Sequence, residues 1–167
     1  MQSTAKKIAE TGRLFITGEG SSRLFPAKSV MGAARRHGWQ LTLFSEAGLQ
    51  AQEYDLTKTP VLALSNSGRT AEVIGLFDAL QRAGHPQRYS LTAFADSKLE
   101  SLAHTGYVLQ CGEEHAVAAT KSVIEQALFC RALVEHIVGV QELAAQRQQL
   151  ADAFETALTS PIDEKLI

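Results

Sequence analysis

The chain has 167 residues, 45% of them apolar and 20% charged, with a formal net charge of −2. That is one ordinary domain with a core of its own, and the composition excludes a disordered polyelectrolyte. The slightly acidic balance argues against nucleic acid as a partner, and the one tight basic run, Arg35-Arg36-His37, reads as a solvated helix end.

The N-terminal stretch "MQSTAKKIAETG" is too polar for a secretory signal. Leu14 to Thr17 predicts a first strand, followed by a helix over Ser22 to His37 that Gly38 closes. A second strand over Leu41 to Phe44 and a short helix lead to a third strand, Val61 to Leu64. The helix from Thr70 to Ala83 ends at Gly84, and a fourth strand runs from Tyr89 to Phe94. A short helix over Lys98 to Ala103 precedes a fifth strand, Tyr107 to Leu109. Several of these strands are continuous apolar runs, as expected where both faces of a sheet are covered. The alternation predicts an α/β fold with a parallel, doubly wound sheet of about five strands.

Two helices follow. Thr120 to Val138 is apolar on more than one face, through Val123, Ile124, Ala127, Leu128, Cys130, Val134 and Ile137, so it is either central or pressed against a partner. Gln141 to Leu158 carries a narrower stripe of Leu143, Leu150, Phe154 and Leu158. Residues 1–158 therefore form a single domain, and "TSPIDEKLI" breaks at Pro161 before a fresh amphipathic start. Two distant cysteines, Cys111 and Cys130, and no apolar run of membrane-spanning length lead to the expectation of a cytoplasmic protein without a membrane anchor.

Ligands of open parallel sheets bind outside the carboxyl ends of the strands. Two hydroxyl-rich stretches fall there: "TGEGSS" after the first strand and "SNSGRT" after the third. Helix-entry N–H groups favour an anion, and Ser21, Ser22, Ser65, Ser67 and Thr70 add donors without charge, while glycine allows close backbone approach. Ser and Thr are also favoured N-caps, so one such cluster alone reads as plain capping; two at corresponding strand ends read as a binding site. Neither is a Walker A loop or a dinucleotide fingerprint, since "GEGSSRLF" lacks the lysine and the third glycine. Ser67 as a nucleophile is the weaker alternative: no G-x-S-x-G elbow surrounds it, and His85, His104 and His115 have no spacing that selects a partner.

A third element, "CGEEHAVAATK", leads into the long apolar helix. Glu114 fits either a base or sugar-hydroxyl ligand, or a first-turn acid complementing the helix dipole; Lys121 fits an anion partner or a solvated helix residue. His37, His85, His104 and His136 are scattered and read as surface or cap residues, and Glu113, Glu114 and His115 are too close in sequence for a closed ligand set. No metal and no cofactor are expected.

Together "GEGSS", "SNSGRT" and "EEHAVAATK" resemble the sugar isomerase (SIS) domain family in order and spacing, over nearly the whole chain. The likeness is closest to the first SIS repeat of two-repeat enzymes, such as the isomerase portion of glucosamine-6-phosphate synthase and the tagatose/galactosamine-phosphate isomerases. Its most discriminating part is Glu114, Val117, Ala118, Thr120 and Lys121. The resemblance implies a three-layer αβα sandwich with a flavodoxin-like sheet that binds a hexose or aminosugar phosphate. Ser65, Ser67 and Thr70 would hold the phosphate with Asn66 beside them, and Gly20, Ser21 and Ser22 would face the sugar or the phosphate from the neighbouring loop. Glu114 and the backbone near Val117 would face the sugar chain, and Lys121 would belong to the same substrate- and phosphate-binding set.

One departure stands out. The enzymes resembled take their catalytic glutamate and ring-opening histidine from the second repeat. Here the helix after the first strand, "RLFPAKSVMGAARRHG", holds no acid, and "SEAGLQAQEYD" holds no H-G-P. The resemblance thus implies the phosphate-binding half of an isomerase or deaminase, completed by a second repeat or by a homodimer partner. Residues 159–167 would be a linker or the opening of that repeat. A phosphosugar-sensing domain without catalysis is the alternative.

Overall fold

A computed structural model describes residues 1–112, 114, 115 and 119–160 of the chain. Five parallel strands form its sheet: β1 (Arg13–Gly18), β2 (Thr42–Ala47), β3 (Val61–Ser65), β4 (Arg88–Thr92) and β5 (Thr105–Val108). Seven helices are described: α1 (Gln2–Ala9), α2 (Ser21–His37), α3 (Gly48–Ala51), α4 (Ala71–Arg82), α5 (Lys98–Leu102), α6 (Lys121–Val138) and α7 (Glu142–Thr159).

Alternation along the strands divides the apolar residues between two cores. Leu14, Ile16, Leu62, Leu64, Tyr89 and Leu91 meet Ala5 and Ile8 of α1, Ala27 and Val30 of α2, and Cys130, Leu133 and Val134 of α6. From the opposite face, Phe15, Val61 and Ala63 meet Ala51 of α3, Val73, Leu76 and Phe77 of α4, and Leu99 and Leu102 of α5. The result is the expected αβα sandwich, and β3 at its centre is buried along its whole length.

Strand order is β2-β1-β3-β4-β5. The chain therefore turns one way from β1 to β2 and the other way from β3 onward, which opens a crevice between the carboxyl ends of β1 and β3. Gly18 seals the base of that crevice: a Cβ there would stand 2.6 Å from the Leu64 carbonyl oxygen and 3.3 Å from Cβ of Arg23. Only a residue without a side chain lets the two strands converge this closely.

Three strand ends differ from the sequence reading by two residues or more. β2 continues to Ala47, because its pairing with β1 extends to Gly18. β4 stops at Thr92 rather than Phe94, since the Ala93 N–H turns to the Asn66 carbonyl and the Thr92 hydroxyl donates to the Phe94 carbonyl. β5 begins at Thr105, drawn into register with Tyr89.

α7 stands apart from the sandwich. None of its residues is buried. Its start is anchored electrostatically: buried Glu135 of α6 accepts from the Leu143 N–H at 2.9 Å, and Arg131 reaches Glu142 at 2.8 Å while lying over the Trp39 ring. Leu128 and Ala132 face Leu143, Leu150 and Phe154 across an open groove of about 400 Å3. No helix among the described residues is long and apolar enough to cross a membrane.

Candidate functional site

Both hydroxyl-rich loops lie at the β1/β3 crevice. The first leaves β1 at Gly18 and enters α2 at Ser21, with Gly20 between them at φ +54 and ψ −135, a conformation that favours glycine. Glu19 ties this loop to the next layer, accepting from the Gly48 N–H at 2.8 Å. Ser21 and Ser22 occupy the first turn of α2, and α2 has no side-chain cap.

The second loop leaves β3 and enters α4. Ser65 is buried, accepts from the Gly68 N–H at 3.1 Å, and shares a 2.9 Å hydrogen bond with the Thr70 hydroxyl. Ser67 is exposed and accepts from the Arg69 N–H at 3.2 Å. Gly68 at φ +63 closes the turn against Ser97, which caps α5. Thr70 is the N-cap residue of α4 by position, but its side chain makes no capping bond.

Hydroxyl bookkeeping shows what remains for a ligand. Each hydroxyl has one proton to donate and two lone pairs. The bonds within the loop use the oxygens of Ser65 and Ser67 as acceptors and consume a single proton, the one shared between Ser65 and Thr70. Either hydroxyl can donate in that bond; when Ser65 does, the protons of Ser67 and Thr70 are left for an acceptor at the mouth of α4. Ser65 thus lies beneath the loop and shapes it, a division of labour that residue type alone does not reveal. The plain capping reading fails for both helices, whereas α5 shows what capping looks like here: Ser97 accepts from the Glu100 N–H.

Three polar groups near these strand ends have buried atoms without a partner among the described residues: Thr17 Oγ1 at the end of β1, Asn66 Oδ1 just after β3, and Arg23 Nε in the first turn of α2. Arg23 also approaches Glu46 at 3.7 Å. Sequence reasoning singled out Asn66 but not Thr17, Glu19 or Arg23. Thr17 sits inside an apolar strand run, and the other two look like ordinary surface charges until the topology brings β2 beside β1.

The third element is tied to α6. Glu114 accepts from the Thr120 N–H at 2.8 Å, from the Ser122 N–H at 3.2 Å and from the Ser122 hydroxyl at 3.1 Å, with the Thr120 hydroxyl at 3.4 Å. That is a carboxylate complementing a helix N-terminus, the structural role left open above. Glu125 holds the approach to the same helix, accepting from the Gln110 and Cys111 N–H groups at 2.7 Å each. Lys121 is the exposed first residue of α6. Val117 lies outside the described residues.

Histidine placement needs one correction. His85 is neither a surface nor a cap residue but is buried: its Nδ1 accepts from the Gln87 N–H, which leaves the proton on Nε2 to donate to the Leu56 carbonyl at 2.9 Å. Burial and both bonds make it a structural group, unavailable as a partner for Ser67, and burial pushes its pKa below the usual histidine range. Among the described residues no cluster of three His, Cys, Asp or Glu side chains is arranged to hold a metal.

The chain matches the family model of the SIS domain over residues 7–136. No curated protein matches it by sequence. Among solved structures it is similar to a candidate phosphosugar isomerase from Silicibacter pomeroyi (TM-score 0.71, 20% identity), covering 90% of this chain and 48% of that one. An Escherichia coli CFT073 protein in complex with A5P superposes with a TM-score of 0.63 at 20% identity, over 82% of this chain and 76% of that one. The C-terminal domain of glucosamine-fructose-6-phosphate aminotransferase from Francisella tularensis gives 0.64 at 18%, over 92% and 44%. The chain thus spans about half the length of the Silicibacter and Francisella structures. At these identities the likeness carries the fold.

Proposed function

We propose, from the premise that this chain belongs to the SIS domain family, that it binds a phosphorylated sugar in the β1/β3 crevice and holds its phosphate for isomerase or deaminase chemistry. One observation carries the reading. The two helices that begin at the crevice, α2 and α4, lack side-chain caps although hydroxyls stand at both starts. A dianion over α4 would take the protons of Ser67 and Thr70 together with the leading amides of the helix, with Asn66 beside them. Ser21, Ser22 and Gly20 would approach from the neighbouring loop, and Glu114 and Lys121 would complete the ligand's surroundings. The A5P complex of the Escherichia coli neighbour supports a sugar phosphate as the ligand class.

Proton transfer between C1 and C2 of an opened sugar needs a carboxylate base near those carbons. α2 contains no acid, and Glu114 is engaged at the start of α6. The base would therefore come from a second SIS repeat or from a partner copy. Exposed Ile124 and Leu128 on α6, continued by Phe154 and Leu158 on α7, support such pairing. The same shortage of a ready base favours the second reading, a sugar-phosphate sensor without catalysis. Turnover assays on hexose and aminosugar phosphates, run beside calorimetric titrations of the same ligands, separate the two. Binding with turnover supports the enzyme half, binding without turnover the sensor, and no binding to any phosphorylated sugar refutes both.

A further inference from the structure

Gln126 sits on α6 with no solvent exposure, and neither its Oε1 nor its Nε2 has a hydrogen-bond partner among the described residues. A buried carboxamide with donors and acceptor all unmet is rare, because the bonds it made to water in the unfolded chain are not replaced. Its place in the helix shows what it faces. Ser122, itself buried, lies one turn earlier on the same inward face, and a helical side chain leans toward the N-terminus of its helix. One turn later, Cys130 belongs to the core with Leu64 and Leu91. The Gln126 amide therefore stands between that apolar core and the Ser122 hydroxyl, whose proton is given to Glu114.

Resting on the sugar-phosphate reading above, we propose that Gln126 is a positioning residue that governs the release of Glu114 to the sugar. Glu114 can accept from a sugar hydroxyl only by giving up part of its hold on Thr120 and Ser122. When it does, the Ser122 proton loses its acceptor in a buried place. Gln126 Oε1 is the replacement one turn away: the Ser122 hydroxyl rotates from Glu114 to Gln126. No proton changes owner in this exchange, and only the acceptor differs. An apolar residue at 126 would pack the empty state as well or better and would make the exchange costly. The unpaired amide is thus a reserve of hydrogen-bonding capacity that the bound state uses. The phosphate end of the ligand, held over α4, is not involved.

The test compares wild type with Gln126→Leu in the full chain, by thermal melting and by calorimetric titration with fructose 6-phosphate and with inorganic phosphate. The expected variant melts at the same temperature or higher and binds inorganic phosphate as wild type does. It binds fructose 6-phosphate about tenfold more weakly, the size of one lost hydrogen bond. In a Ser122→Ala background, which removes the donor, Gln126→Leu then has no further effect on fructose 6-phosphate. Unchanged affinity for fructose 6-phosphate overturns the proposal, as does an equal loss for both ligands. A variant that melts far lower or fails to fold shows the amide holding the core instead, and overturns it too. Wild type that binds inorganic phosphate but not fructose 6-phosphate refutes this inference alone, whereas binding of neither refutes the proposed function with it.

Discussion

Gly68→Ala is the substitution that presses hardest on the loop between β3 and α4. Two separate costs arise there. The residue sits at φ +63, where an L side chain loses roughly 1–2 kcal/mol. The added Cβ would also stand 2.5 Å from both Cβ and Oγ of Ser97, a steric conflict of the kind that costs about 1–3 kcal/mol in a packed site. The expected loss is therefore about 2–5 kcal/mol, read in urea unfolding as a lower midpoint with an unchanged slope. Pairing the change with Ser97→Gly isolates most of the second cost, since glycine there removes the two nearest atoms and leaves only Thr92 Cγ2, at 3.2 Å. In that background Gly68→Ala should cost little more than the backbone share, so the double-mutant cycle shows a favourable coupling of about 1–3 kcal/mol. Additive effects would refute the claim that this loop is built by direct packing of Gly68 on Ser97.

Replacing Glu114 with Gln keeps its shape but removes the charge that four donors at the start of α6 share. About 1 kcal/mol of stability should go, seen as a melting temperature roughly 2–4 °C lower; an unchanged melt would show that the carboxylate does not cap α6. His85 has its folded pKa depressed by burial, so its contribution is fully present above the unfolded value and is lost as pH falls below about 6.5. Stability measured from about pH 8 to pH 5 should drop on the acid side in wild type and drop less in His85→Gln, and equal slopes would contradict the assignment. Cys130 is fully buried with its thiol pushed up to about 12, so it should resist iodoacetamide in the native protein and react after denaturation. Labelling of Cys130 in the native protein would show that α6 opens readily.

The layers of the fold were legible because apolar runs over strand lengths alternate with helix-length patterns, and that alternation leaves few topologies. Strand ends were less so: Phe94 continues an apolar run, yet β4 stops at Thr92 because its next amide pairs with Asn66 across the sheet, a contact far away in sequence. The two hydroxyl clusters could be located at strand ends, but not divided into shaping and exposed groups, since Ser65 and Ser67 differ only in which side of the turn they face. Gln126 left no trace in the sequence, where a glutamine on a helix looks solvated. His85 was misjudged for the same reason, as a polar residue beside Gly84 and Pro86 reads as loop surface.

A structure determined with a bound hexose phosphate tests the central claim most directly. The account requires the phosphate to lie over the first turn of α4, with the hydroxyls of Ser67 and Thr70 within about 3 Å of its oxygens and Ser65 still bonded to the Gly68 N–H. A phosphate held elsewhere on the chain, or one over α4 with both hydroxyls turned into the loop, would contradict it.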